Sequence, residues 1–131
     1  MFKNLLSIIG GLFSAFLLLL LVEKTLPLVF NVIPIDATKD AIDFNEYIKN
    51  LPIQMLAVHA IAYGIVAFAG SYVTFLLCAN PRMSLIMTTL FLVVVLVNYL
   101  MFHHPQWIII LGSSATVLGG FLGTKIHSKT T

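Results

Sequence analysis

Apolar residues run along this chain in four long blocks separated by short polar breaks: Leu5 to Val22, Ile53 to Ala79, Met83 to Phe102 and Trp107 to Thr124. A helix needs about 20 apolar residues to cross the hydrocarbon core of a bilayer at 1.5 Å rise each. The blocks therefore predict four transmembrane spans, about 5–22, 53–79, 83–102 and 107–124. They leave no room for a soluble domain. The fold class expected is an all-α membrane protein, a four-transmembrane-helix bundle forming a single membrane domain over residues 1–131.

The polar stretch between the first two blocks has a pattern of its own. In DAIDFNEYIKNLP, Ala41, Phe44, Ile48 and Leu51 recur at helical spacing while Asp40, Asp43, Glu46 and Lys49 fall on other faces. This predicts a short amphipathic surface helix over about 40–50, apolar side down on the outer membrane surface. Asp40 suits its N-cap and Pro52 the first turn of the next span. The helix serves as a connector in the plainer reading and as a lid in the functional one; the connector is preferred. Pro27 and Pro34 are expected to end or kink the helix of the first span.

Composition agrees, with 60% hydrophobic and 9% charged residues where soluble domains carry roughly 25% charged. Lys3 followed by an apolar run imitates a secretory leader, but the run is long and VEKTLPLVF offers no A-x-A cleavage pattern, so an uncleaved span is expected. A lone cysteine, Cys78, excludes an internal disulfide. A formal charge of +2 without a basic patch gives no support for nucleic acid binding. Four spans place both termini beside the Asn80–Arg82 connection, where Lys3, Arg82, Lys125 and Lys129 meet no acidic residue. The opposite side carries Lys24, Lys39 and Lys49 with all the acidic residues. The Lys and Arg bias puts the termini in the cytoplasm.

Lipid supplies little hydrophobic force between helices, so small residues that let backbones approach carry much of the association. Span 2 has such a seam in Ala60, Gly64, Ala67, Ser71, Thr74 and Cys78, and span 4 in Gly112, Thr116, Gly119 and Gly123. Span 1 has a shorter one in Ser7, Gly11 and Ser14, and span 3 has almost none. Spans 1, 2 and 4 are thus expected to pack closely, with span 3 presenting more surface to lipid. A seam can also join protomers, so a homo-oligomer or a larger membrane complex is expected beside the lipid bilayer as partner.

Intramembrane polar groups mark function by default. Counting helical rise places Glu23, His59, Asn98, His103 and His104 in one depth band near the outer face, although they come from different spans. This candidate polar cluster admits three readings. A metal or catalytic site would use imidazole and carboxylate, but no H-x-x-x-H or H-E-x-x-H spacing occurs. A binding pocket could take a headgroup, quinone or peptide. In the third reading, which leads, the polar groups bond one another or the loop, and Tyr99 and Trp107 anchor the interface as part of an aromatic belt. No cofactor is predicted and no enzyme is indicated. The middle and inner parts of the spans lack acidic, basic and amide side chains, which argues against transport within one chain and leaves an oligomeric small-molecule or ion transporter, with a pore between protomers, as the alternative. Small multidrug transporters of similar length hold their essential Glu within span 1, whereas Glu23 sits at its end.

The order VEK, IPID, YIKNLP, GIVAFAGSYV, VNYLM and HHPQW resembles, over the whole chain, a group of small four-span bacterial membrane proteins described mostly as hypothetical. Glu23, Pro34, Asp36, Leu51, Pro52, Gly64, Gly70, Asn98, His104, Pro105 and Trp107 are the matching positions. Only Arg82 stands where such proteins often carry several basic residues after span 2. The resemblance implies a four-span fold and a bacterial inner membrane, and brings no activity. The role expected from the sequence is a non-enzymatic accessory or interaction subunit.

Overall fold

The computed structural model describes residues 1–30, 51–101 and 104–130, with side chains through residue 126. Its helices are α1 (Phe2–Val29), α2 (Ile53–Cys78), α3 (Pro81–Met101) and α4 (Gln106–Thr130). All four are long and apolar enough to cross a membrane, α4 over Gln106–Ile126. The chain is a multi-pass membrane protein with an all-α, four-helix fold. The expected surface helix at 40–50 lies outside the described residues, as does His103.

Local chemistry explains the helix ends. Pro27 has no N–H for the carbonyl of Glu23 one turn back. Helix α1 nevertheless continues past Pro27, because little more than half a turn remains, and Phe30 N–H closes it on Leu26 O at 3.1 Å. At the other membrane surface, Ala79 takes a left-handed conformation with φ 53° and donates its N–H to Phe75 O at 2.7 Å. A non-glycine residue there costs about 1–2 kcal/mol, and the tight reversal follows at once. Pro81 opens α3, and Asn80 Oδ1 accepts the Arg82 N–H at 3.0 Å. Helix α4 opens in a similar way: Pro105 O accepts the N–H groups of Ile108 and Ile109.

Helix α2 touches all three others, whereas α1 and α4 do not touch. The order around the bundle is α1, α2, α4, α3, with α2 and α3 in contact across the short diagonal. Helices α2 and α4 are therefore neighbours that cross in the same direction. Gly64 lies against Ala115 and Gly119, and further along Phe68 and Ser71 meet Gly123. Gly119 is pressed on the Gly64 carbonyl so closely that a Cβ there would enter it. Ala60, Gly64, Ala67 and Ser71 of α2 and Gly112, Thr116, Gly119 and Gly123 of α4 are all buried within the chain. On the other side of α2, Gly11 of α1 packs on Gly70 and Thr74. The half-buried Cys78 points its thiol at Thr74 O, 3.2 Å away.

One packing expectation is corrected. Helix α1, not α3, is the most lipid-exposed, with 17% of its most apolar stretch buried against 33% for α3. Helix α3 has no glycine or alanine but buries Ser84, Met87, Thr88, Phe91, Val95 and Tyr99 along one stripe. Where helices stand too far apart for backbone contact, long side chains fill the gap to interior density. Met87 and Phe91 are fully buried in this way.

Several buried serine and threonine hydroxyls bind backbone. Thr74, Thr88, Thr116 and Thr124 each donate to the carbonyl four residues back. Ser84 differs in crossing helices, its Oγ donating to Ser71 O at 2.9 Å. Interhelical bonds in membranes average about 0.6 kcal/mol because the unfolded chain in lipid also finds partners. Ser84→Ala should therefore lower stability by about 0.6 kcal/mol, measured by unfolding in mixed micelles; a loss above about 2 kcal/mol would contradict this weighting.

Candidate functional site

The end of the bundle where α2 and α4 begin gathers four polar rings into a row. His59, near the start of α2, lies edge-on to Tyr63 one turn later, ring centroids 4.9 Å apart. Tyr63 meets Tyr99 of α3 at 5.6 Å in a T-shaped contact. Tyr99 in turn meets His104, just before α4, at 4.8 Å and again edge to face. Phe91 supports the row from below at 6.3 Å from Tyr63, and Phe16 of α1 packs on Phe91. Edge-to-face pairing is the arrangement that aromatic quadrupoles favour, at about 0.5–1.5 kcal/mol per pair.

Sequence places each ring through ordinary helical spacing. His59 and Tyr63 are four residues apart and share a face. Tyr99 ends the buried stripe of α3, where Val95 and Phe91 precede it at steps of four. The Tyr99 hydroxyl then reaches α4 at Gly112, against which it lies so closely that a Cβ would collide with it. Only glycine leaves that space. Tyr99 is 1% exposed, and its hydroxyl has no hydrogen-bond partner among the described residues. Ser113 Oγ, one residue beyond Gly112, is also buried without one.

The residues singled out by depth divide into two groups. His59 and His104 join the same row and are close enough to interact electrostatically. Glu23 is exposed on α1 but within electrostatic reach of Tyr63. Asn98 is half-buried and makes no hydrogen bond among the described residues. Among those residues no three of His, Cys, Asp and Glu stand close enough to hold a metal ion. Tyr99, expected as an interface anchor, is buried at the centre of the row, where α4 offers a glycine as its ring end arrives. Trp107 is 43% exposed at the start of α4.

Tyr63 was not visible as a site residue from depth counting, which follows charge and amide groups and passes over phenols. Its spacing from His59 was the available signal. Chemically, the row presents phenol hydroxyls, which donate and accept, beside imidazoles, which in neutral form do one at each nitrogen. Such groups suit a ligand that carries carbonyl or hydroxyl oxygens.

An unsatisfied buried hydroxyl costs about 1–3 kcal/mol. Tyr99→Phe, which keeps the ring and its contacts, should therefore raise the unfolding free energy of the empty protein by about 1 kcal/mol. A loss of stability instead would mean that the hydroxyl is bonded.

Comparison with protein-family models, with curated proteins and with solved structures gives no match.

Proposed function

We propose that this chain is a non-enzymatic binding and interaction subunit of a bacterial cytoplasmic membrane, working at the His59–Tyr63–Tyr99–His104 row. Both termini would lie in the cytoplasm, as the positions of Lys3, Arg82 and Lys125 favour, and the row would open toward the outer leaflet. The observation that carries the reading is the Tyr99 hydroxyl, buried without a hydrogen-bond partner among the described residues at the centre of rings drawn from three segments. Intramembrane polar groups are costly and persist where they serve binding or relay. The bound species would be a membrane-soluble molecule bearing hydrogen-bonding oxygens. Transport has less support, because the hydroxyls deeper in the bundle are occupied by backbone carbonyls.

The test is organic extraction and mass spectrometry of protein purified from native membranes in mild detergent. Wild-type protein should retain a species that Tyr99→Phe and His59→Ala lose while remaining folded. Identical extracts from all three would end the proposal. A stable Tyr99→Phe that has lost its ligand is the informative result, since a merely structural hydroxyl would show no such exchange of binding for stability. A homo-oligomer or larger complex belongs to the same reading and would use α1, the least covered helix. Light scattering that finds one solitary copy would remove that part.

A further inference from the structure

Two unsatisfied hydroxyls stand close together between α3 and α4, and they narrow what the proposed site binds. The fully buried serines and threonines of the described residues donate to backbone carbonyls, Thr116 and Thr124 of α4 among them. Ser113 on the same helix breaks that pattern: its Oγ is buried and has no hydrogen-bond partner among the described residues. The second hydroxyl is that of Tyr99, equally without a partner there on a side chain 1% exposed.

Helical geometry brings the two to one place. Gly120 of α4 packs on the Thr88 side chain of α3. Ser113 precedes Gly120 by two turns less about 20°, so it also faces α3. The levels agree as well. Tyr99 reaches α4 at Gly112, the residue before Ser113 and only about 1.5 Å from it along the axis. The two hydroxyls do not bond each other, so both stand open to a third group.

A way in exists from the lipid. Leu96 lies about 80° around α3 from Thr88, and Val117 about 60° around α4 from Gly120. They are 37% and 48% exposed, which puts them on the lipid side of the α3–α4 groove. Half-buried Ser113 stands between that edge and Tyr99. An apolar molecule can therefore bring a polar end past Leu96 and Val117 without leaving the bilayer. Counting donors selects the end. Each hydroxyl offers one O–H, and a carbonyl oxygen has lone pairs for both and no donor of its own. A ligand hydroxyl would bring a third O–H into the groove, and a charged end would cost far more to move out of water. We infer that Ser113 and Tyr99 together hold the carbonyl oxygen of an apolar molecule that enters from the membrane through the α3–α4 groove. This rests on the binding role proposed for the Tyr99 row and adds to it a residue, a route and a chemical class.

The experiment measures binding of tritiated methyl pentadecyl ketone to the full chain in detergent micelles by scintillation proximity, with the corresponding secondary alcohol as competitor. Wild-type protein should prefer the ketone to the alcohol. Ser113→Ala and Tyr99→Phe should each weaken ketone binding about fivefold, the loss of one ordinary hydrogen bond. With the carbonyl labelled by carbon-13, its infrared stretch should fall on binding to wild-type protein and move part-way back in each variant. A ketone bound no better than the alcohol overturns the inference. So does a Ser113→Ala variant with unchanged affinity and unchanged stretch; if Tyr99→Phe still loses the species extracted from native membranes, the binding role itself survives that result. Displacement of the ketone by a diester phosphatidylcholine but not by its diether analogue supports the site and assigns the carbonyl to a bilayer lipid. Displacement by neither supports a free ketone, and displacement by both overturns the inference, because the diether has no carbonyl. Should a variant not fold, the wild-type choice between ketone and alcohol decides.

Discussion

Gly119→Val should abolish the native bundle while leaving the helices intact. The Cα of Gly119 lies on the Gly64 carbonyl, and even one added carbon would occupy the space of that oxygen. Overpacking a core ordinarily costs about 1–3 kcal/mol, because side chains shift to new rotamers. Here the obstructing atoms are backbone, so relief requires α2 and α4 to separate along their whole shared seam. The expected loss exceeds about 3 kcal/mol, the upper end of that range. Helicity by circular dichroism should persist, because helices in lipid keep their own backbone bonds. Unfolding in mixed micelles should show no cooperative transition. Gly10→Ala is the control: its added carbon would meet only the Cδ1 end of Leu77, which can rotate away. Equal stability of the two variants would refute the close α2–α4 contact.

Phe91→Ala should be the most damaging truncation of a large side chain. Phe91 is fully buried and touches the rings of Phe16 and Tyr63, tying α3 to α1 and α2. In water such a change costs about 3–5 kcal/mol, combining lost transfer energy and a cavity. In lipid the transfer part largely vanishes, since the unfolded helix keeps its ring in hydrocarbon. The cavity part remains: on the order of 100 Å³ at about 24 cal/mol per Å³, or about 2 kcal/mol. Leu90→Ala, next along the helix but on the exposed side, should change stability by less than about 0.5 kcal/mol. If the two truncations proved equivalent, the correction that α3 is a packed helix would fail. Loss of Phe91 should also loosen the His59–Tyr63–Tyr99–His104 row, so any ligand retained by wild-type protein should be released.

These effects show how much of the fold could be read in advance. Four helices, their approximate limits and the short Asn80–Arg82 connection followed from the lengths of the apolar runs, which is a local property. The extension of α1 through Pro27 was harder to read, because a proline near a helix end permits either termination or a few more residues. Which helix lay most exposed was read incorrectly from small-residue seams alone. Small residues identify faces where backbones can approach, but large residues such as Met87 and Phe91 pack equally well where backbones stand apart.

The candidate site was legible in part for a related reason. Depth follows from counting residues, so His59 and His104 could be assigned to one band before any tertiary information. Whether side chains at one depth meet depends on rotation about each helix axis and on which helices are neighbours. Tyr63 and Tyr99 bridge the two histidines because α3 is rotated to bury its tyrosine stripe and because Gly112 leaves room for the phenol. Asn98, next to Tyr99 in sequence, is rotated away by one residue's 100°.

By itself the sequence determined that the chain forms four membrane-spanning helices, since the length of an apolar run is sufficient for that. Tertiary structure alone decided the order α1, α2, α4, α3, the parallel pairing of α2 with α4, and the meeting of His59, Tyr63, Tyr99 and His104. The physical reason is the solvent. Hydrocarbon is as apolar as a protein interior, so hydropathy marks what enters the membrane but not which face turns inward. That choice belongs to shape, here the fit of Gly119 on Gly64 and of Tyr99 on Gly112.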